Sequence, residues 1–254
     1  MTRVLPRTNF HSSDLIRCLA DLSLIETTEP ANAFAEELGS WMHFTDAIAL
    51  SAVHRGSAEA PTKLSSELHS HARIAAGREL ERVRSDLVES IRKGFSSKPG
   101  KTLIALPAPQ LELPLEPAVA YVPYRRFYEA HQRDMELRIP VLRTHVREAL
   151  AKASPRLRKL AELDAMLEKI LRERERQLLS SVPLLLKKGF VQLFTAWQQK
   201  FADKQLSDNP ARWIEAGGWL ARFYGDLQLL LLAELELRLQ PTVGLIEALD
   251  THNE

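Results

Sequence analysis

Apolar residues recur at three- and four-residue spacing along almost the whole chain, and one segment breaks the rhythm. That spacing lines one face of a helix. The 254 residues include only 10 glycines and no Asn-Gly or Asp-Gly pair, so the usual hairpin turns are missing. The chain reads as all-α: an elongated helical bundle with coiled-coil-like hairpins. The break lies between Ser96 and Pro123, where Pro99, Pro107, Pro109, Pro114, Pro117 and Pro123 are interleaved with Leu and Ile. Proline has no N–H to donate and clashes with the preceding turn, so this density forbids a helix and a central strand alike. The expected organisation is an N-terminal helical region (1–95), a proline-rich connector (96–119) and a C-terminal helical bundle (120–254). The connector fits two descriptions, a strap laid over a helical surface or a peptide offered to a partner. The strap is the simpler.

Capping residues and prolines place the helices. Ser12-Ser13-Asp14 start one that runs to about Ile25, with Leu15, Ile16, Leu19 and Leu22 inward. A second opens at Glu29-Pro30 and carries Phe34, Leu38 and Trp41, and Thr45-Asp46 restart it toward Gly56. A long helix follows from about Thr62 to Lys93, its stripe running through Leu68, Ala72, Leu80, Val83, Leu87 and Ile91. After the connector, Ser154-Pro155, Val182-Pro183, Asn209-Pro210 and Gln240-Pro241 mark corners, because proline suits a first helical turn and no later one. Pro140 falls within a continuous pattern and predicts a kink. Leu160, Leu163, Leu167 and Ile170 repeat at seven before the seam turns polar at Arg174 and Gln177, which fits a hairpin that splays. Leucine covers every face around Leu229–Leu232, so neighbours or another subunit should wrap that helix.

Lys and Arg number 34 against 33 Asp and Glu, a balance that does not push the chain toward nucleic acid or an anionic membrane. The single cysteine, Cys18, excludes an internal disulfide and sits in an apolar pattern as a small buried hydrophobe. No stretch approaches the ~20 apolar residues that span a bilayer, and no secretory h-region stands near the start. The expectation is a cytoplasmic protein without direct membrane insertion.

Gly100-Lys101-Thr102 looks like the end of a phosphate-binding loop. The match fails, because five residues rather than four separate Gly94 from Gly100 and Pro99 removes an N–H from the turn. The stretch also follows a helix where such a loop follows a strand. Lys93-Gly94 reads instead as a helix stop. Metal patterns are no better. There is no H-E-x-x-H, His69 and His71 diverge on a helix, and His43 with Asp46 is a bare pair. No cofactor or metal site is expected.

The richest cluster of reactive side chains is YRRFYEAHQRDMELRIP, residues 124–140. On a helix, Tyr124, Tyr128, His131, Met135 and Ile139 share one stripe, and His131, Asp134 and Arg138 are neighbours at i+3 and i+4. A histidine beside a carboxylate is raw material for a general base, yet no nucleophile elbow accompanies it. A helix seam with an internally satisfied polar patch is the plainer account. One basic corner, with Arg143, Arg147, Lys152, Arg156, Arg158 and Lys159, has the charge to meet nucleic-acid phosphates.

FHSSDLIRCLADLSL (10–24), LGSWMHFTDAIALSAV (38–53), YRRFYEAHQRDMELRI (124–139) and RLQPTVGLIEAL (238–249) resemble, in the same order, the blocks of an uncharacterised proteobacterial family, domain of unknown function 3348 (DUF3348). The stretches around 57–78 and 96–118 lie outside the likeness. The family has no assigned catalytic residues to transfer. The resemblance implies a cytosolic accessory to an ion-driven envelope machine of the flagellar-stator or Tol type, peripheral to the inner membrane through a channel subunit. The expected function is a non-enzymatic scaffold or interaction protein that self-associates. Its expected partner surfaces are Tyr128, His131, Asp134 and Arg138, and at the C-terminal end Leu239, Pro241, Leu245 and Ile246. The alternative is a nucleic-acid-associated protein working through the basic corner.

Overall fold

A computed structural model describes residues 13–25, 46–48, 50–51, 66–96, 103–109, 116–202 and 210–250. These residues are 87% helical and include no strand. The helices are α1 (Asp14–Asp21), α2 (Ser66–Gly94), α3 (Pro117–Ala120), α4 (Val122–Ala153), α5 (Pro155–Ser180), α6 (Val182–Ala202) and α7 (Trp219–Asp250), with a 3₁₀ turn at Pro210–Trp213. The expected helix from Glu29-Pro30, with Phe34, Leu38 and Trp41, lies outside the described residues.

The chain forms two compact units, and α2, α4 and α7 each give one part to each. In the unit holding Val88–Arg133 and Val182–Arg238, the buried side chains are large and aromatic. They include Tyr121, Tyr124, Tyr128, Phe190, Phe194 and Phe223, with Leu227, Leu230 and Leu231. Here α4 and α7 run in the same direction, since Tyr124 meets Tyr224 and Tyr128 meets Glu234. Helix α6 runs against α7, with Phe190 on Phe223 and Phe194 on Trp219. The leucine-rich stretch is wrapped in part: Leu230, Leu231, Ala233, Glu234 and Leu235 are buried and Leu232 is half-buried, but Leu229 is 48% exposed.

The other unit contains Asp134–Ser181 with the earlier part of α2 and the end of α7. Its core is aliphatic: Leu80, Val83 and Leu87 from α2, Met135, Ile139, Leu142, Val146 and Leu150 from α4, and Leu239, Leu245 and Leu249 from α7. Helices α2 and α4 are antiparallel, as the pairs Arg138–Asp86 (2.9 Å) and His145–Glu79 (2.9 Å) show. The α4–α5 corner is the expected one. Ser154 caps α5 by accepting from the Leu157 N–H (3.2 Å), and Pro155 takes the first helical turn. Along α5 the seven-residue repeat is half-buried as far as Ile170, and every residue from Arg172 to Leu178 is exposed.

Three expectations about boundaries need correction. Helix α1 stops at Asp21 rather than near Ile25, because Ser23 turns left-handed (φ 56°) and the Leu24 N–H closes onto the Leu19 carbonyl. Pro210 opens only a 3₁₀ turn, and α7 starts at Trp219 after Gly217 at φ 88°. Its neighbour Gly218 cannot carry a side chain, since a Cβ there would lie 2.2 Å from the Trp213 carbonyl oxygen. Pro241 is no corner at all, for α7 continues through it to Asp250. The proline removes one backbone bond, but Leu239, Thr242, Leu245 and Leu249 are buried on either side and hold the helix. Helix α4 likewise continues through Pro140.

The helix stop expected at Lys93-Gly94 is found. Gly94 is the last residue of α2, and its carbonyl accepts from the Leu106 N–H (3.0 Å). A Cβ at Gly94 would stand 3.0 Å from the Ile104 carbonyl oxygen and 3.1 Å from the Phe127 ring. Connector residues 104–109 therefore lie against the protein as a strap, seated over a glycine notch. Gly94→Ala is expected to lower stability by ~1–3 kcal/mol through overpacking, read as a fall in the urea midpoint with an unchanged m-value.

Candidate functional site

Helix α4 presents the predicted stripe inward. Tyr124, Tyr128, His131, Met135 and Ile139 are all buried. What the stripe meets was not foreseen. Tyr128 donates to Glu234 Oε2 (2.8 Å), and the Gln132 amide donates to both Glu234 oxygens (3.0 and 3.1 Å). One turn further along α7, Arg238 closes the set from Nε (2.9 Å) and its terminal nitrogen (2.8 Å). Glu234 is 0% exposed. Burial pushes its carboxyl above the ordinary range, opposed by Arg238, Tyr128 and Gln132. Burial likewise raises the Tyr128 phenol well above its usual value, with Glu234 adding to it, so Tyr128 remains a neutral donor.

Glu234 stands outside every candidate named from the sequence. The available signal was its position among leucines that cover every face, where a carboxylate has no outward side.

Beside this network lies an aromatic cluster. Trp197, Trp213 and Trp219 stand 4.9–5.9 Å apart, and Phe190, Phe194, Phe223, Tyr121, Tyr124 and Tyr224 extend the set. The Tyr124 and Tyr224 hydroxyls are 3.4 Å apart. A cavity of ≈ 10 Å³, room for about one water, is lined by Pro109, Ala120, Tyr124, Phe190, Phe194, Trp213, Trp219 and Leu220. The Trp219 Nε1 is buried without a hydrogen-bond partner.

The four residues expected to form one specificity patch are divided. Tyr128 and His131 belong to the core, 0% and 1% exposed, because the stripe faces α7 rather than solvent. Asp134 and Arg138 are half-buried, and Arg138 reaches Asp86 (2.9 Å) more closely than Asp134 (3.8 Å). His131 does not work with Asp134. Its ring packs edge-on to Phe127 (4.8 Å), its Nε2 has no partner, and burial drives its pKa down to about 4. In the C-terminal set, Leu239 and Leu245 are buried, Ile246 is half-buried and Pro241 is exposed.

The basic corner is smaller than its sequence. Arg143 binds Asp164 through two nitrogens (2.9 and 2.5 Å), while Arg147 reaches both Asp164 (2.7 Å) and Glu168 (2.5 Å). Burial raises the Glu168 carboxyl, but Arg147, Arg143 and Arg172 outweigh it and the net shift is downward. These two arginines fix α5 against α4. Lys152, Arg156 and Arg158 are exposed, and Lys159 is half-buried. Cys18 is half-buried rather than buried, and burial raises its thiol pKa. Among the described residues no group of three or more His, Cys, Asp or Glu could hold a metal ion, and no helix is long and apolar enough to cross a membrane.

A family model described as a protein of unknown function (DUF3348) matches residues 1–251. The chain belongs to that family. No curated protein and no solved structure matches it. With α4 and α7 facing each other, the sequence blocks 124–139 and 238–249 acquire a physical role, since the first carries Tyr128 and Gln132 and the second begins at Arg238.

Two outcomes follow from the buried polar groups. Glu234→Ala strands the Arg238 charge and two donors, and should cost ~3–5 kcal/mol, whereas Tyr128→Phe removes one bond to a charged acceptor and should cost ~1–3 kcal/mol. Chemical denaturation of both variants checks the order. For His131, whose ordinary value is 6.5, the folded pKa lies lower, so the unfolded chain binds the proton first. Stability should be full above pH 6.5 and fall as pH drops toward about 4, at up to ~1.4 kcal/mol per pH unit. His131→Leu should remove that component of the slope in a pH series of urea midpoints.

Proposed function

We propose that this protein is a non-enzymatic helical scaffold that binds another protein and self-associates. The observation that carries the reading is how its reactive side chains are spent. Glu234 is held by Tyr128, Gln132 and Arg238, and Asp164 with Glu168 by Arg143 and Arg147, so these groups fix helix register. Such pairing gives a long helical surface one defined shape, which is what specific docking requires. The half-buried Asp134 and Arg138 are the outward members of the α4 polar set. Following the resemblance of its blocks, the partner proposed is a subunit of a membrane proton channel of the stator or Tol type, met from the cytoplasmic side.

Affinity purification of the tagged chain from detergent-solubilised cells, with nuclease treatment, tests this. An integral membrane channel subunit should co-purify and be lost on charge reversal at both Asp134 and Arg138. Circular dichroism must first show that the variant is folded, because Arg138 also pairs with Asp86. Recovery of the chain alone, with nucleic acid present when nuclease is omitted, would overturn the reading and bring forward Lys152, Arg156 and Arg158.

A further inference from the structure

We propose that the aromatic surface around the Trp213–Trp219 cavity is a recognition site for proline-rich peptides, covered in the isolated chain by its own strap. The strap sequence Leu106-Pro107-Ala108-Pro109 has the chemistry that aromatic grooves bind: rigid rings on a backbone that loses little entropy on docking. Its Pro109 sits in the wall of the cavity with Tyr124, Phe194, Trp213 and Trp219. The flat faces of these rings suit a proline ring. The unsatisfied Trp219 Nε1–H is the donor that a peptide carbonyl would accept from.

The strap is held in a way that permits release. Residues 104, 106, 107 and 109 are half-buried, residues 105 and 108 are exposed, and Leu103 lies wholly outside. Its backbone is anchored at the Gly94 notch by the Leu106 N–H bond to the Gly94 carbonyl. The occupant in trans is a leucine- and proline-rich segment of another protein. The cis strap competes with it and lowers its apparent affinity by the fraction of time the groove is filled. The contact is thus autoinhibitory. The inference rests on the interaction reading above, but the two fail separately, since its test needs no cellular partner.

The probe is a synthetic peptide of residues 101–111, titrated against the full chain in a Trp41→Phe background. Fluorescence then reports on Trp197, Trp213 and Trp219. Pro107→Ala with Pro109→Ala in the chain should increase acrylamide quenching of these rings and tighten peptide binding about tenfold, as expected when a competitor that fills most sites is removed. Gly94→Ala, which unseats Ile104 instead, should act in the same direction. A peptide with both prolines replaced by alanine should bind neither form. The inference is overturned if the folded variants keep their rings as shielded as before, or bind the peptide no better than the native chain. It is also overturned if the alanine peptide binds equally, or if both variants unfold, since the strap is then part of the core and not a displaceable ligand.

Discussion

A carboxylate with no water around it organises this protein. Glu234 sits where leucines cover every face of α7, and an isolated charge there would be untenable. Both of its oxygens are met, from two helices: by Tyr128 and Gln132 on α4, and by Arg238 on α7 itself. Apolar packing between these helices would tolerate a slip along their length, since leucine resembles leucine. The network does not, because a slip would leave the Tyr128 hydroxyl and the Gln132 amide buried without their acceptor. Position is therefore fixed by hydrogen-bond geometry, and affinity between the helices by the aromatic and aliphatic side chains around it.

The same division of labour recurs between α4 and α5. Leu157 and Ala161 supply buried apolar contact, while Arg143 and Arg147 with Asp164 and Glu168 set the register of the hairpin. That use of arginine explains why a strongly basic stretch of sequence need not make a strongly basic surface. Beyond Ile170 the apolar repeat gives way to residues exposed on every side, and α5 there relies on local pairs such as Arg176 with Glu173.

Much of the fold was legible because periodicity and proline are local signals. The stripes of α2 and α4, the Ser154-Pro155 corner and the helix stop at Lys93-Gly94 all follow from residues within a few turns of one another. The missed features depend on distant partners. Pro241 reads as a break until the buried residues flanking it are known, and Cys18 reads as buried although the inward side of α1 is Leu15 and Leu19. The α4 polar cluster was found, but its members were assigned to each other. Nothing in residues 124–140 announces that Tyr128 belongs with a glutamate 106 positions later. The pairing of Arg143 and Arg147 went unread for the related reason that Asp164 and Glu168 lie one helix away.

That separation governs how the chain can assemble as it leaves the ribosome. Helices α4 and α7 run in the same direction, so no tight turn can join them, and α5 and α6 must be synthesised in between. Tyr128 and Gln132 emerge long before the carboxylate that they serve. Until α7 is complete, the emerging chain carries an apolar stripe bearing unmatched donors, a state open to wrong pairings and to chaperone capture. The contact that gives the finished protein its register thus closes only after α5 and α6 have been made.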